Sequence, residues 1–194
     1  MSDIEAISQL VNWERQTRVR YLDQENLATY WPDATVTTSW QSGPVSTFVG
    51  QQPVDFDRSL PIVSRLGNPI VHLNSTADRA YVELPSTTKH WLKLEGKLAV
   101  LESFMRLIYQ VEKRDGVWKI SNMAAIDEAD DLAPAIPGDD LHIDTQRALA
   151  LRPSYRFLAY TRLAAGGQIG DDGIGTDRPE TCQPIYDAAE AWIE

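Results

Sequence analysis

A chain of 194 residues with 28 acidic and 18 basic side chains carries a net charge of −10. That balance excludes a phosphate-tracking nucleic-acid surface, which needs clustered Lys and Arg, and it excludes docking on an anionic membrane. Apolar residues at 43% suffice for a core, and the length allows one domain, or one domain with an extension.

The single Cys182 can form no internal disulfide, and its sequence neighbourhood holds no His to activate it as a nucleophile. No basic-then-apolar leader or membrane-length apolar run is visible, so the expectation is a soluble cytoplasmic protein.

Ser2 to about Asp23 is predicted helical. Ser2 or Asp3 can cap it, and Ile4, Ile7, Leu10 and Val11 make an apolar stripe. Arg15, Arg18 and Arg20 fall in its second half, where cations suit the helix dipole. A second short helix is expected over about Gln24 to Trp31, stopped by Pro32. Ala34 to Trp40 is β-branched and reads as a strand, Gln41 to Pro44 as a turn, and Ser46 to Val49 as a short return strand. Pro53 suits the start of a third helix over Val54 to Arg65.

Leu66-Gly67-Asn68-Pro69 is a break. Strands are expected at Pro69 to Asn74 and at Asp78 to Leu84, the second broken or bulged near Pro85; His90 to Leu94 continues it or starts another. Glu95-Gly96 turns into a long hairpin, Leu98 to Ile126, folded at Asp115-Gly116, where both positions tolerate positive φ. In its first arm Phe104, Arg106, Ile108 and Gln110 share one face, and Met105, Leu107, Tyr109 and Val111 the other. A hairpin this long needs a larger sheet around it, so the plan is α+β, with helices on one face of a curved antiparallel sheet.

Beyond Ile126 the character changes. Asp127 to Asp140 is acidic, contains Pro134, Pro137 and Gly138, and reads as an exposed linker. Ser154 to Ala165 is predicted helical. Gly170 to Thr176 lacks the Lys and the strand-before-helix context of a phosphate loop and reads as a connector. Asp177 can cap a last helix running to Trp192.

The three histidines, His72, His90 and His142, lack metal-ligand spacing, and Asp139, Asp140 and Asp144 do not fit a calcium loop. No serine sits in a nucleophile-elbow pattern. Neither a metal nor a cofactor is therefore expected.

Four stretches carry a family resemblance: Tyr21 to Leu27 (YLDQENL), Trp31 to Val36 with Trp40, Val71 to Asn74 followed by Asp78 to Ala80, and Val111 to Ile120 (VEKRDGVWKI). Together they resemble the SnoaL-like branch of the nuclear transport factor 2-like superfamily, over about Ile4 to Ile126. The resemblance implies a cone in which a curved sheet wraps around N-terminal helices over a mostly apolar pocket. It divides the chain into a SnoaL-like domain, 1–126, and an acidic linker with helical extension, 127–194.

Members of the scytalone dehydratase and hexachlorocyclohexane dehydrochlorinase type eliminate a small leaving group by proton abstraction. Carried residue by residue, their His base falls on His72, the Asp that orients it on Asp23, and a nearby cation on Arg18. The chain departs from them twice. It has no His on Glu102 to Arg106, and it has Met123 where the dehydrochlorinase places Arg. Arg106, Tyr109, Ser121 and Asn122 are the candidates to compensate, with Tyr21 and Trp40 as further substrate contacts.

The implied activity is that of a cofactor-independent lyase or isomerase acting on a small, largely apolar molecule. A carboxylate that fixes the imidazole tautomer makes the ring a better base. The alternative is a ligand-binding or interaction module on the same fold. In either case a homodimer through the exposed sheet face is expected.

Overall fold

The computed structural model describes residues 1–50 and 57–194. Helix α1 (Asp3–Val19) opens on a capping box: Glu5 N donates to Ser2 Oγ at 3.3 Å, and Ser2 N donates to Glu5 Oε2 at 2.8 Å. Two orphan donors of the first turn are thereby satisfied. Its N-terminus is tied to the hairpin, because Trp118 Nε1 donates to Asp3 Oδ1 and Lys113 Nζ pairs with the same oxygen, both at 2.7 Å. The buried face of α1 is mixed, with Ile7 and Val11 followed by Glu14, Arg15 and Thr17. Helix α2 (Asp23–Ala28) follows at once.

The strands are β1 (Tyr30–Thr38), β2 (Gln41–Pro44), β3 (Ile62–Leu66), β4 (Ile70–Leu73), β5 (Arg79–Leu94), β6 (Lys97–Arg114) and β7 (Val117–Pro134). They form one sheet in the order β2-β1-β7-β6-β5-β3, with β4 also paired to β5. β1 runs parallel to β7, and the β1–β2, β3–β5, β4–β5, β5–β6 and β6–β7 pairs are antiparallel.

Several local expectations are corrected. Gln41 to Pro44 is a strand rather than a turn, because the chain reverses tightly at Ser39-Trp40 and pairs back onto β1. Val45–Thr47 is a single 3-10 turn where a return strand was expected. Of the expected third helix, Val54 to Phe56 lies outside the described residues. Its C-terminal part, Ile62–Leu66, is strand β3, with the β-branched Ile62 and Val63 paired to His90 and Lys89.

Pro85 does not break β5. Its carbonyl accepts from Gly67 N at 2.8 Å on the edge where pairing passes from β4 to β3. The missing N–H points toward that same edge, into the gap between the two partners.

The largest correction is at the acidic stretch. β7 continues through Asp127 to Pro134, past the expected domain boundary, still paired to β6. Met105 faces Asp127 and Phe104 faces Ala129, so Glu128 is one extra residue, a β-bulge. The bulge changes the parity of the strand, and both Asp127 and Asp130 are buried on the inner face, at 4% and 8% exposure.

Beyond β7 come α3 (Thr145–Leu149), a 3-10 turn at Pro153–Tyr155, α4 (Arg156–Ala164) and α5 (Pro179–Ile193). Asp130 Oδ2 accepts from Leu158 N at 2.7 Å, capping the first turn of α4 from across the sheet. Asp177 does not cap α5. Its carboxylate takes a two-pronged bond from Arg152 at 2.6 and 2.7 Å and a bond from Ser154 Oγ at 2.6 Å, which hold its pKa down to about 2.

Helix α5 lies on the outer face, where Tyr81, Ile108 and Ile126 meet Cys182 and Ala189. It covers part of the sheet face that the homodimer expectation left open. No helix among the described residues is long and apolar enough to cross a membrane.

The loop before α5 is strapped to β7: Asp127 N donates to Ile174 O and Thr176 N to Asp127 O, with Gly175 bridged to Asp127. A Cβ at Gly175 would collide with Ser154 Oγ and stand 2.8 Å from Asp177 Oδ1. Gly175→Ala is therefore expected to cost about 1–3 kcal/mol of stability, as overpacking of a tight site does. Urea unfolding followed by tryptophan fluorescence would register it as a lower midpoint.

Candidate functional site

A cavity of about 800 Å³ lies between α1, α2, the inner face of β5 to β7 and helix α4. Its inner end is set by α1. Glu14 is fully buried and accepts from Tyr109 Oη at 2.8 Å and from Asn26 Nδ2 at 3.3 Å. Asn26 Nδ2 also reaches the Glu14 carbonyl at 2.7 Å and Thr17 Oγ1 at 3.0 Å, which locks α2 onto α1. Burial, with Glu14 adding to it, raises the phenols of Tyr30 and Tyr109 well above their ordinary pKa.

Arg15 and Arg18, one helical turn apart, reach the cavity from this polar floor. Arg15 Nη2 donates to Thr88 Oγ1 at 3.2 Å and lies 4.0 Å from Met105 Sδ. Arg18 lies over the Phe48 ring with its guanidinium carbon 3.4 Å from the centroid. Burial lowers its pKa to about 10, so it remains charged at neutral pH.

Asp127 stands on the β7 wall of the same cavity. Burial pushes its carboxyl up to about 7, opposed by a hydrogen bond with Ser39 and reinforced by Asp130. Its Oδ2 has no hydrogen-bond partner among the described residues. His90, inward on β5, also lines the cavity, and burial lowers its pKa to about 4, so its ring is neutral at pH 7. Helix α4 closes one side through Leu158, Thr161 and Arg162, with the Arg162 guanidinium 4.5 Å from the Trp40 centroid.

Of the residues expected at the site, Arg18, Tyr21, Asp23 and Trp40 line this cavity. Trp40 stacks on Phe48 at 5.5 Å, and Tyr21 carries Arg58 over its ring at 4.8 Å. His72 does not line it. On β4 its neighbours Val71 and Leu73 pack on the inner core, so alternation turns His72 outward, stacked on Tyr81 at 4.2 Å. The structure therefore does not bring His72 to Asp23.

Arg106 is also outward, bound to Glu128 at 2.7 Å and to Tyr186 Oη at 2.8 Å beneath α5. Ser121 Oγ donates to Glu112 at 3.4 Å and Asn122 Nδ2 to Thr35 Oγ1 at 2.7 Å, away from the cavity. Tyr109 is inward but fully buried behind the floor, bonded to Glu14.

Sequence reasoning missed Arg15 and Asp127, and it left His90 open between pocket and rim. A signal existed for the first. Arg15 and Arg18 continue the stripe of Ile7 and Val11 at helical spacing, so both belong to the inward face. His90 alternates in phase with Val82 and Leu84 along β5, which bury the same face. Asp127 had no comparable signal, because the acidic run around it hides the strand.

A curved sheet wrapped around N-terminal helices over a partly enclosed cavity defines a small-molecule fold of the nuclear transport factor 2-like kind. The chain belongs to the SnoaL-like domain family, which matches residues 1–124. It is 26% identical over 174 residues to pea pathogenicity protein 2 of Fusarium vanettenii, covering 85% of this chain and 74% of that one.

Among solved structures, a putative scytalone dehydratase from Novosphingobium aromaticivorans superposes with a TM-score of 0.55 at 14% identity, over 72% of this chain and 95% of its own. A type 2 hexachlorocyclohexane dehydrochlorinase gives a TM-score of 0.55 at 16% identity, over 73% and 93%. These two likenesses establish the fold.

The raised carboxyl of Asp127 makes a pH prediction. In the unfolded chain the group ionises near its ordinary value of 3.8, whereas in the folded chain it ionises only near 7. The fold thus carries a penalty that grows from about pH 4 to pH 7 and is constant above. Asp127→Asn removes it. The stability of that variant relative to the parent is expected to rise by about 2–3 kcal/mol between pH 5 and pH 7, by urea denaturation.

Proposed function

We propose that the protein is a cofactor-independent lyase or isomerase that moves a proton on a small, largely apolar molecule held in the cavity. The observation that carries this reading is Asp127: a buried carboxyl on the cavity wall, with a pKa of about 7 and one oxygen unpartnered among the described residues. A group titrating near the working pH can both take and return a proton, which suits elimination or isomerisation beside a carbonyl. Arg18 stands where it can stabilise the negative charge that develops when the proton leaves. Asp23 and Tyr21 orient the substrate from the α2 side, and neutral His90 offers a further hydrogen-bonding group. His72, expected to be the base, has no part in this reading because it faces away from the cavity.

A second reading, ligand binding without turnover, is favoured by one observation. Asp23 lines the cavity, whereas His72, which the family's elimination chemistry would set beside it, faces the other side of the sheet.

The test is a set of β-hydroxy and β-halo ketones, with formation of the conjugated product followed by ultraviolet absorbance. Asp127→Asn is expected to lower kcat by about 10²–10⁴-fold, the usual contribution of one general acid or base. The His72→Ala variant is expected to retain full turnover. Saturable binding of these compounds without any product would establish the second reading instead.

A further inference from the structure

We propose that the floor of the cavity is a subsite for an organic anion, and that the molecule this protein takes carries a carboxylate on an apolar, aromatic body. This deepens the reading above by naming the substrate class of the same cavity.

The argument starts from charge. Taking a guanidinium out of water is costly unless an anion or several hydrogen bonds replace the solvent. Arg15 is only 7% exposed, its Nε has no partner among the described residues, and its Nη2 meets a hydroxyl and a thioether. Neither Arg15 nor Arg18 forms an ion pair with a carboxylate among the described residues, although ten such pairs are made elsewhere in the molecule.

The carboxylate next to them in sequence, Glu14, is held by Tyr109 and Asn26. Two cations one turn apart are thus kept in a desolvated floor where Glu14 acts on Arg18 only through space and no carboxylate among the described residues pairs directly with either. A planar carboxylate matches the guanidinium fork, which offers paired parallel N–H donors.

The walls specify the remainder of the ligand. Phe48 lies under Arg18 and stacks against Trp40, and Met105 and Leu107 continue the surface upward from the floor. Such a wall accepts a flat apolar body while its acid end reaches the floor. The charge of the whole cavity agrees. In a chain of net charge −10, this cavity is lined by five cationic side chains against four carboxyl groups, and Lys93 and Asp57 among them pair with each other at 3.6 Å.

The experiment is calorimetric titration at pH 6.5 with benzoate and 2-naphthoate against their neutral amides, benzamide and 2-naphthamide. The acids are expected to bind at least tenfold more tightly than the amides. Arg18→Gln is expected to erase that preference, Arg18→Lys to keep part of it, and Arg114→Gln, on the exposed Asp33 pair, to leave it unchanged. Arg15→Gln is read the same way once circular dichroism shows it folded.

Equal affinity for acid and amide, no binding of either acid, or an Arg18→Gln protein that still prefers the acids would each overturn the inference. The readout is binding, so the two readings fail separately. A protein that binds the acids and turns nothing over keeps the anion subsite and loses the lyase. One that dehydrates neutral ketones and ignores the acids does the reverse.

Discussion

The alternation of side chains along the β6–β7 hairpin is the constraint on which the site depends. Every second residue of an extended strand faces the same way, so a change of parity moves a whole run of groups across the sheet. On β6, Met105, Leu107, Tyr109 and Val111 face the helices, and Arg106 and Ile108 face α5. On β7 the same rule puts Met123 and Ala125 inward, and unbroken it would bury Asp127 and Asp131 of the acidic run. The extra residue at Glu128 then resets the parity, so that Asp130 turns in and Asp131 faces out. One carboxyl is left on the cavity wall and the other caps α4. A single-residue insertion thus gives the two buried carboxyls different surroundings.

The opposite wall is built on a different economy. Helix α1 continues its apolar stripe into Glu14, Arg15 and Arg18 rather than into more aliphatic residues. Burying such groups costs several kcal/mol unless partners restore what water supplied. For Glu14 they do: a phenol and an amide donate to it, and α2 is fastened to α1 by the same amide. For the arginines the partners are weaker, a hydroxyl, a thioether and an aromatic face. A floor of this kind lowers stability compared with an apolar one, and such a sacrifice is characteristic of binding sites.

Much of this was legible in the sequence. The capped first helix, the Asp115-Gly116 turn and the two faces of β6 all follow from local rules whose signals are strong: a capping box, a pair of positive φ values and a period of two. The family resemblance supplied the cone and put Arg18, Tyr21, Asp23 and Trp40 at the cavity.

What failed did so for tertiary reasons. His72 was placed by correspondence along the chain, but its facing is decided by its pairing with Tyr81, which sequence does not display. Ile62–Leu66 was read as part of a helix because its partner strand lies more than twenty residues away. The acidic stretch after Ile126 was read as solvated because charge usually marks surface. The burial of Asp127, together with Ser39 and Arg152, which oppose the resulting rise in pKa, depends on distant parts of the chain.

The strap at 174–176 joins the extension to β7. The family match ends at residue 124, and Asp127 lies just beyond it. The surroundings that raise its pKa are in part C-terminal: the Ile174–Thr176 segment bonds its backbone, and Arg152 holds Asp177 and the loop carbonyls of Asp171 and Gly173 in place. Helix α4, fixed by Asp130, supplies a cavity wall as well. In this protein the shared domain provides the sheet, the floor and the aromatic lining, and the extension helps to bury Asp127, whose carboxyl is pushed up to about 7. The buried setting of Asp127 is made by domain and extension together, because β7 carries the residue and the 174–176 segment bonds its backbone.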